Sequence, residues 1–222
     1  MNLFPFRRRP AGRRWRGQSM VEFVVILPIL LIMISGVIEL GFMLNYYLDL
    51  IDAARDIARF SANIDPLLPD DLDPANRTCA DTQYFYRLIA CMMPTAGLVV
   101  VPSPNQEQIV LDPLRDDVLV SSFGITDNTI RYRLPDADGW SWKEWSFGGG
   151  ANHVSGFTNA EVEAMLDAAN PPRGAVLVEI YYDYHMVLAL PWITAFVPNP
   201  VTLHAYTIMP NTFVEPTRTP SP

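Results

Sequence analysis

Two cysteines, three histidines, a glycine triplet and two carboxylates set in apolar surroundings are the residues whose types could do chemistry in this chain. Cys79 and Cys91 are the only cysteines, and the segment between them is short and polar at its start, so a bridge is geometrically allowed. In an oxidising compartment such a bridge would stabilise by up to ~3 kcal/mol, and two reduced, packed cysteines are the other reading. They form no zinc site, because a structural zinc needs four ligands and no histidine is close by in sequence. His153, His185 and His204 are far apart and lack HExxH spacing, so each reads as a structural or surface residue. Gly148 to Gly150 lacks the Lys-Ser/Thr of a phosphate loop, and Ser121, Ser122 and Ser155 have no nucleophile elbow around them. The sequence offers no catalytic, cofactor-binding or metal-binding set and points to no small-molecule substrate.

Glu22 and Glu39 are more informative, because they are the only charges between Met20 and Leu44. That run is long enough to cross ~30 Å of hydrocarbon as a helix with some tilt. Arg7, Arg8, Arg9, Arg13, Arg14 and Arg16 precede it with no acid among them, and the rest of the chain carries ten basic against 24 acidic residues, a balance of −14. Basic residues directly before an apolar helix hold that end in the cytoplasm. Trp15 before the run, and Tyr46 and Tyr47 after it, suit the membrane interfaces. The acidic remainder argues against binding nucleic acid. A cleaved secretory signal fits poorly, since the run is too long and no small-x-small site closes it, Ser35 and Gly36 being the nearest approach.

Pro28 predicts a kink. Past the apolar run the helix is expected to continue to about Asn63, with Leu44, Leu48, Ile51, Ala54 and Ala58 on one face and Asp65-Pro66 ending it. Glu39 lies about 24 Å along the axis from Phe23, near the far boundary of the hydrocarbon. It reads equally as an interfacial residue or as part of an intersubunit polar contact with Ser35 and Gly36, where small residues permit close helix approach.

The stretch RGQSMVEFVVILP, followed by VIELGFMLNYYLDLIDAARDIARFSA, resembles a type IV pilin-like N-terminus and, more narrowly, the TadE-like pseudopilins of the tight-adherence (Flp) pilus system. Gly17, Gln18, Val21, Glu22, Phe23, Leu27, Pro28, Glu39, Asp52, Ala53, Ala54, Arg55, Ala58 and Arg59 carry the resemblance, which covers roughly Arg13 to Ala62. It implies cleavage by a prepilin peptidase between Gly17 and Gln18. It also implies a register role for Glu22 and Phe23, with the Glu22 carboxylate meeting the new α-ammonium of a neighbouring subunit as an alternative to snorkelling. The partners implied are the membrane, the peptidase, other pilin-like subunits and the pilus assembly platform.

Beyond Pro66, short apolar runs broken by Pro, Gly and Asn predict a β-rich domain. Strands are expected over Leu98 to Val101, Gln108 to Leu111, Val118 to Ile125, Thr129 to Leu134, Trp140 to Phe147, Ala175 to Leu190 and Val201 to Met209. Thr126-Asp127-Asn128 should turn a hairpin. Thr158 and Glu161 signal a capped helix ending at Pro171-Pro172, and a weaker helix is expected from Thr82 to Met92. Trp140, Trp142 and Trp145 fit a half-buried hairpin better than a ligand platform. Asn76-Arg77-Thr78 has the form of a glycosylation acceptor.

The expected fold class is α+β: a long N-terminal transmembrane helix continuing into an extracytoplasmic, mostly antiparallel, pilin-like β domain with one or two short helices. The expected divisions are a basic leader 1–17, a helix 18–64 with its membrane half at 20–44, a β-rich domain 65–213 and a disordered tail 214–222. Two functions are open: a single-pass, N-in minor pilin-like subunit, which could enter an extracellular pilus, or an uncleaved anchored accessory protein with an adhesion domain.

Overall fold

The computed structural model describes residues 18–67, 79, 84–102, 104, 108–135, 138–146, 150–167 and 169–213. The leader with Gly17, the triplet at Asn76, Gly148, Gly149, the Trp145 side chain and the tail 214–222 lie outside the described residues. The chain is α+β. The long helix α1 (Gln18–Ser61) is followed by α2 (Phe85–Met92), a two-stranded parallel pair β1 (Leu98–Val99) and β2 (Ile109–Val110), and then a five-stranded sheet. The sheet contains β3 (Asp117–Thr126), β4 (Thr129–Leu134), β5 (Trp140–Ser141), β6 (Gly174–Tyr184) and β7 (Val201–Pro210). Short helices α3 (Trp142–Ser146) and α4 (Asn159–Met165) lie between β5 and β6, and α5 (Pro191–Thr194) lies between β6 and β7.

All pairings in the sheet are antiparallel, in the order β4-β3-β6-β7, and β5 shares the β4 edge of β3. Asp127 and Asn128, both at positive φ, turn β3 into β4, the geometry whose twist matches flanking strands and that Asn and Asp tolerate. The period of two sorts β6 into two faces. Val176, Val178 and Ile180 join Val118, Val120, Leu203 and Ala205 in the main core, against α1 and α2. Ala175 and Leu177 join Phe123, Ile125 and Val162 beneath α4.

The C-terminal half of α1 belongs to that main core through Leu50, Ala53, Ala54, Ile57 and Ala58, all buried. The face is turned roughly a quarter of the way around the helix from the expected one, and Leu44 and Leu48 point outward. The reason is size, because the paired alanines let the helix axis come close to β6 and β7, where leucines would hold it off. Asn211 fixes the end of the helix by donating to the carbonyls of Ser61 (3.1 Å) and Ile64 (3.0 Å), groups a helix terminus leaves without partners.

Two strand assignments are corrected. The segment from Trp140 to Phe147 pairs for only two residues and then coils into α3. Ser141-Trp142-Lys143-Glu144 is a capping-box sequence: the Ser141 hydroxyl accepts from Lys143 N–H (3.3 Å) and Glu144 reaches back to Ser141 N–H (3.4 Å). Trp140 and Trp142 are buried in the core, which leaves neither free to stack on a ligand. β6 ends at Tyr184 instead of reaching Leu190, because the amides just beyond it bond to α1. The helix signalled by Thr158 and Glu161 carries the full capping box and stops at Met165, ahead of Pro171-Pro172. The weaker helix is α2, which covers the C-terminal part of its expected range.

Candidate functional site

From Met20 to Ile34 every side chain of α1 is exposed, most of them apolar, and no other described residue buries them. Glu22 lies on this uncovered surface beside Phe23, which is 61% exposed. The helix runs unbroken through Pro28. Among the described residues, α1 is the one helix long and apolar enough to cross a membrane.

Ser35 and Glu39, one turn apart, are the first buried side chains along the described part of α1. The Glu39 carboxylate accepts from the Tyr184 hydroxyl at 2.7 Å, from Val187 N–H at 2.9 Å and from Leu188 N–H at 2.8 Å. The Ser35 hydroxyl accepts from the Trp192 indole N–H at 3.0 Å and donates to the Ile32 carbonyl at 2.9 Å. Glu39 and Ser35 therefore clasp the β6–β7 connection of their own chain. Within the chain, open space surrounds the position a Cβ at Gly36 would take.

Three hydrogen bonds to an ionised acceptor, each contributing ~1.5–3 kcal/mol, are the scale needed to hold a carboxylate away from water. Burial pushes the Tyr184 phenol up, and the adjacent carboxylate adds to that shift. Tyr46 packs between Tyr182 (6.1 Å, stacked) and Tyr184 (5.3 Å, tilted). Tyr184, Trp192 and the Val187–Leu188 amides could not be found by periodicity. The available signal was that residues 186–197, MVLALPWITAFV, carry no charge and match the membrane run in composition.

On the opposite face of the sheet the fold brings two of the three distant histidines together. His153 and His204 stack on the two sides of Tyr181, at 4.5 and 4.2 Å, while His185 lies exposed elsewhere. Glu179 is buried beneath them, accepting from the Ser155 hydroxyl and Gly156 N–H, both at 3.1 Å. Burial pushes the Glu179 carboxyl up and the His204 imidazole down, with His153 adding to the latter. His204 Nε2 is 3.8 Å from Glu179, close enough to attract if protonated, yet desolvation outweighs that attraction. Arg133 donates to Ser121 (3.0 Å) and to the Phe157 carbonyl (2.8 Å) in the same layer. Among the described residues, no group of three or more His, Cys, Asp or Glu side chains is placed to hold a metal ion. The polar layer therefore reads as internal support for the sheet.

Cys79 is bonded to Cys91, which ties it to α2. Residues 17–59 match the protein family described as TadE-like protein. This segment is TadE-like. The TadE-like match spans Gly17, the whole uncovered half of the helix, the clasp residues and most of the core-facing half. It supports association with the tight-adherence pilus system, and the one long apolar helix supports a single-pass membrane protein. No curated protein and no solved structure matches the chain.

Proposed function

We propose that the chain is a minor pilin-like subunit acting in assembly of a tight-adherence (Flp-type) pilus or related secretion filament. It is inserted with its N-terminus in the cytoplasm and its β domain outside, and a prepilin peptidase trims it between Gly17 and Gln18. The observation that carries this reading is the TadE-like match, which begins at Gly17 and covers a helix whose first half is left exposed by the described residues. An uncovered apolar helix suits lipid before assembly and neighbouring helices after it.

Cleavage would create an α-ammonium at Gln18, one turn from the exposed Glu22. A carboxylate among apolar side chains gains most from a partner of opposite charge, and the ammonium of a neighbouring subunit would fix the axial register between the two. Phe23 adds an exposed ring beside that contact. Glu39 takes no part in it, being held by its own chain. The partners are the membrane, the peptidase, other pilin-like subunits and the assembly platform.

Mass spectrometry of the protein purified from membranes tests the processing step. A mature chain beginning at Gln18 is expected; an intact leader would instead favour an uncleaved anchored accessory protein with an outward adhesion domain. Glu22→Ala is expected to insert normally but to be missing from sheared filaments, and normal entry into filaments would remove the register role.

A further inference from the structure

The connection between β6 and β7 presents apolar side chains that the other described residues leave exposed. Val187 is 55% exposed, Trp192 41% and Phe196 88%, within an uncharged stretch from Met186 to Val197 whose only side-chain polar groups are the Trp192 indole N–H and the Thr194 hydroxyl. Patches of this kind on a small domain mark an interaction surface. Its base is closed, with Asn199 accepting from Met186 N–H at 3.1 Å, and α5 gives it a defined shape.

Its position points to the occupant. The connection is bonded to Ser35 and Glu39, which belong to the apolar run of α1. If hydrocarbon begins at Met20, ~30 Å of it ends near Glu39, and Ser35 lies ~6 Å below that boundary. The Val187 and Leu188 amides then sit at the edge of the bilayer, while Trp192 and its neighbours sit inside it. Burial of that depth is typical of elements that lie in an interface, and an indole with its N–H bonded suits that level. At 3.6 residues per turn, the exposed apolar residues Leu31 and Ile32 lie on the same side of α1 as Ser35 and extend the apolar surface from the loop along the span.

We propose that residues 187–197 are a membrane-seating loop, dipping into the leaflet beside the C-terminal end of the span and fixing the β domain against the bilayer surface. This rests on the reading of α1 as membrane-spanning. It also gives Glu39 a physical role, because the loop that enters the lipid supplies the N–H groups that keep the carboxylate from facing hydrocarbon unpaired.

The test uses the full chain in phosphatidylcholine vesicles, with a photoreactive side chain installed as Phe196→p-benzoylphenylalanine, Met33→p-benzoylphenylalanine or Arg131→p-benzoylphenylalanine. Position 33 reports the span, and Arg131 is exposed on β4, away from the connection. Lipid adducts of similar yield at 33 and 196, with loss of signal at 131, are expected. Lipid adducts at 33 with only protein cross-links at 196 would assign the loop to a second copy of the chain and overturn the proposal while leaving the span intact. Absence of lipid adducts at 33 would remove the spanning reading and the loop proposal together.

Discussion

Glu39 is held by groups about 145 residues away in sequence, and its cost on an apolar helix is met within one chain. Glu39→Ala removes the acceptor from two amides and a phenol at once, and a lost bond to a charged group costs ~1.5–3 kcal/mol. About 3 kcal/mol of local stability should disappear, so amide exchange at Val187 and Leu188 should quicken ~100-fold, read by hydrogen exchange of the detergent-solubilised chain. Glu39→Gln keeps one acceptor oxygen and should show a smaller effect. Unchanged exchange in the alanine variant would mean the clasp is not closed in solution. The Glu179 and His204 pair gives a second residue-scale prediction, with opposite signs. His204 is held below its ordinary value of 6.5, so the unfolded chain takes up its proton first and stability falls as pH drops through 6.5. Glu179 and Asp116 are held above their ordinary 4.5 and 3.8 by burial, so the folded state binds their protons more tightly and their contribution is lost as pH rises from those values. Denaturant unfolding from pH 4 to 7.5 should therefore show His204→Gln relieving the loss below 6.5, and Glu179→Gln flattening the rise toward 4.5.

At the scale of elements, β3 and β4 are joined by a device that their sequences do not advertise. Gly124 and Tyr132 are cross-strand partners, a register shift follows Gly124, and the Tyr132 ring occupies the space a Gly124 side chain would need. An aromatic ring laid over a strand glycine fixes register while leaving no room for a methyl group. Gly124→Ala should cost ~1–3 kcal/mol in denaturant unfolding, and adding Tyr132→Ala should remove most of the extra clash, so that the two changes are strongly non-additive. Simple additivity would mean the ring does not sit there. The same contrast between local and distant determinants explains what could be read in advance. The Thr158–Glu161 capping box, the Asp127–Asn128 turn and the continuation of α1 past Leu44 are set by neighbours within four residues, and residue types alone reveal them. The Ser141–Glu144 box was equally local but lay under a run of tryptophans that reads as strand. The helix face turned toward the sheet was not legible, because Leu44 and Leu48 are the better hydrophobes and Ala53, Ala54 and Ala58 win only once β6 and β7 are there to be approached. Nothing near Tyr184 in sequence marks it as the partner of Glu39, and an alternating apolar run gives no sign of where a carboxylate on another element will pull the chain out of the sheet.

For the molecule as a whole, α1 serves two solvents, with its first half uncovered and its second half buried against a sheet. Charge should decide which way that rod is threaded. Six arginines precede Gln18 and a balance of −14 follows, an asymmetry that favours retention of the head in the cytoplasm. The disulfide offers a reporter of the outcome, since Cys79 and Cys91 pair where the compartment is oxidising and stay as thiols where glutathione and thioredoxin act. Closing a segment of 12 residues should contribute ~3 kcal/mol on the chain-entropy estimate, so correctly threaded chains should also lose about that much stability on reduction. Replacing Arg7, Arg8, Arg9, Arg13, Arg14 and Arg16 with asparagine weakens the charge rule while leaving the apolar run intact. In cells, the variant should appear as two populations: one with the bridge formed and the β domain open to added protease, the other with free thiols and a protected domain. The unaltered chain should give the first population alone. Thiol labelling before and after reduction, together with protease shaving of intact cells, separates the two. A variant that remains fully bridged and fully accessible would show that the orientation is set by folding of the acidic domain and not by the arginines.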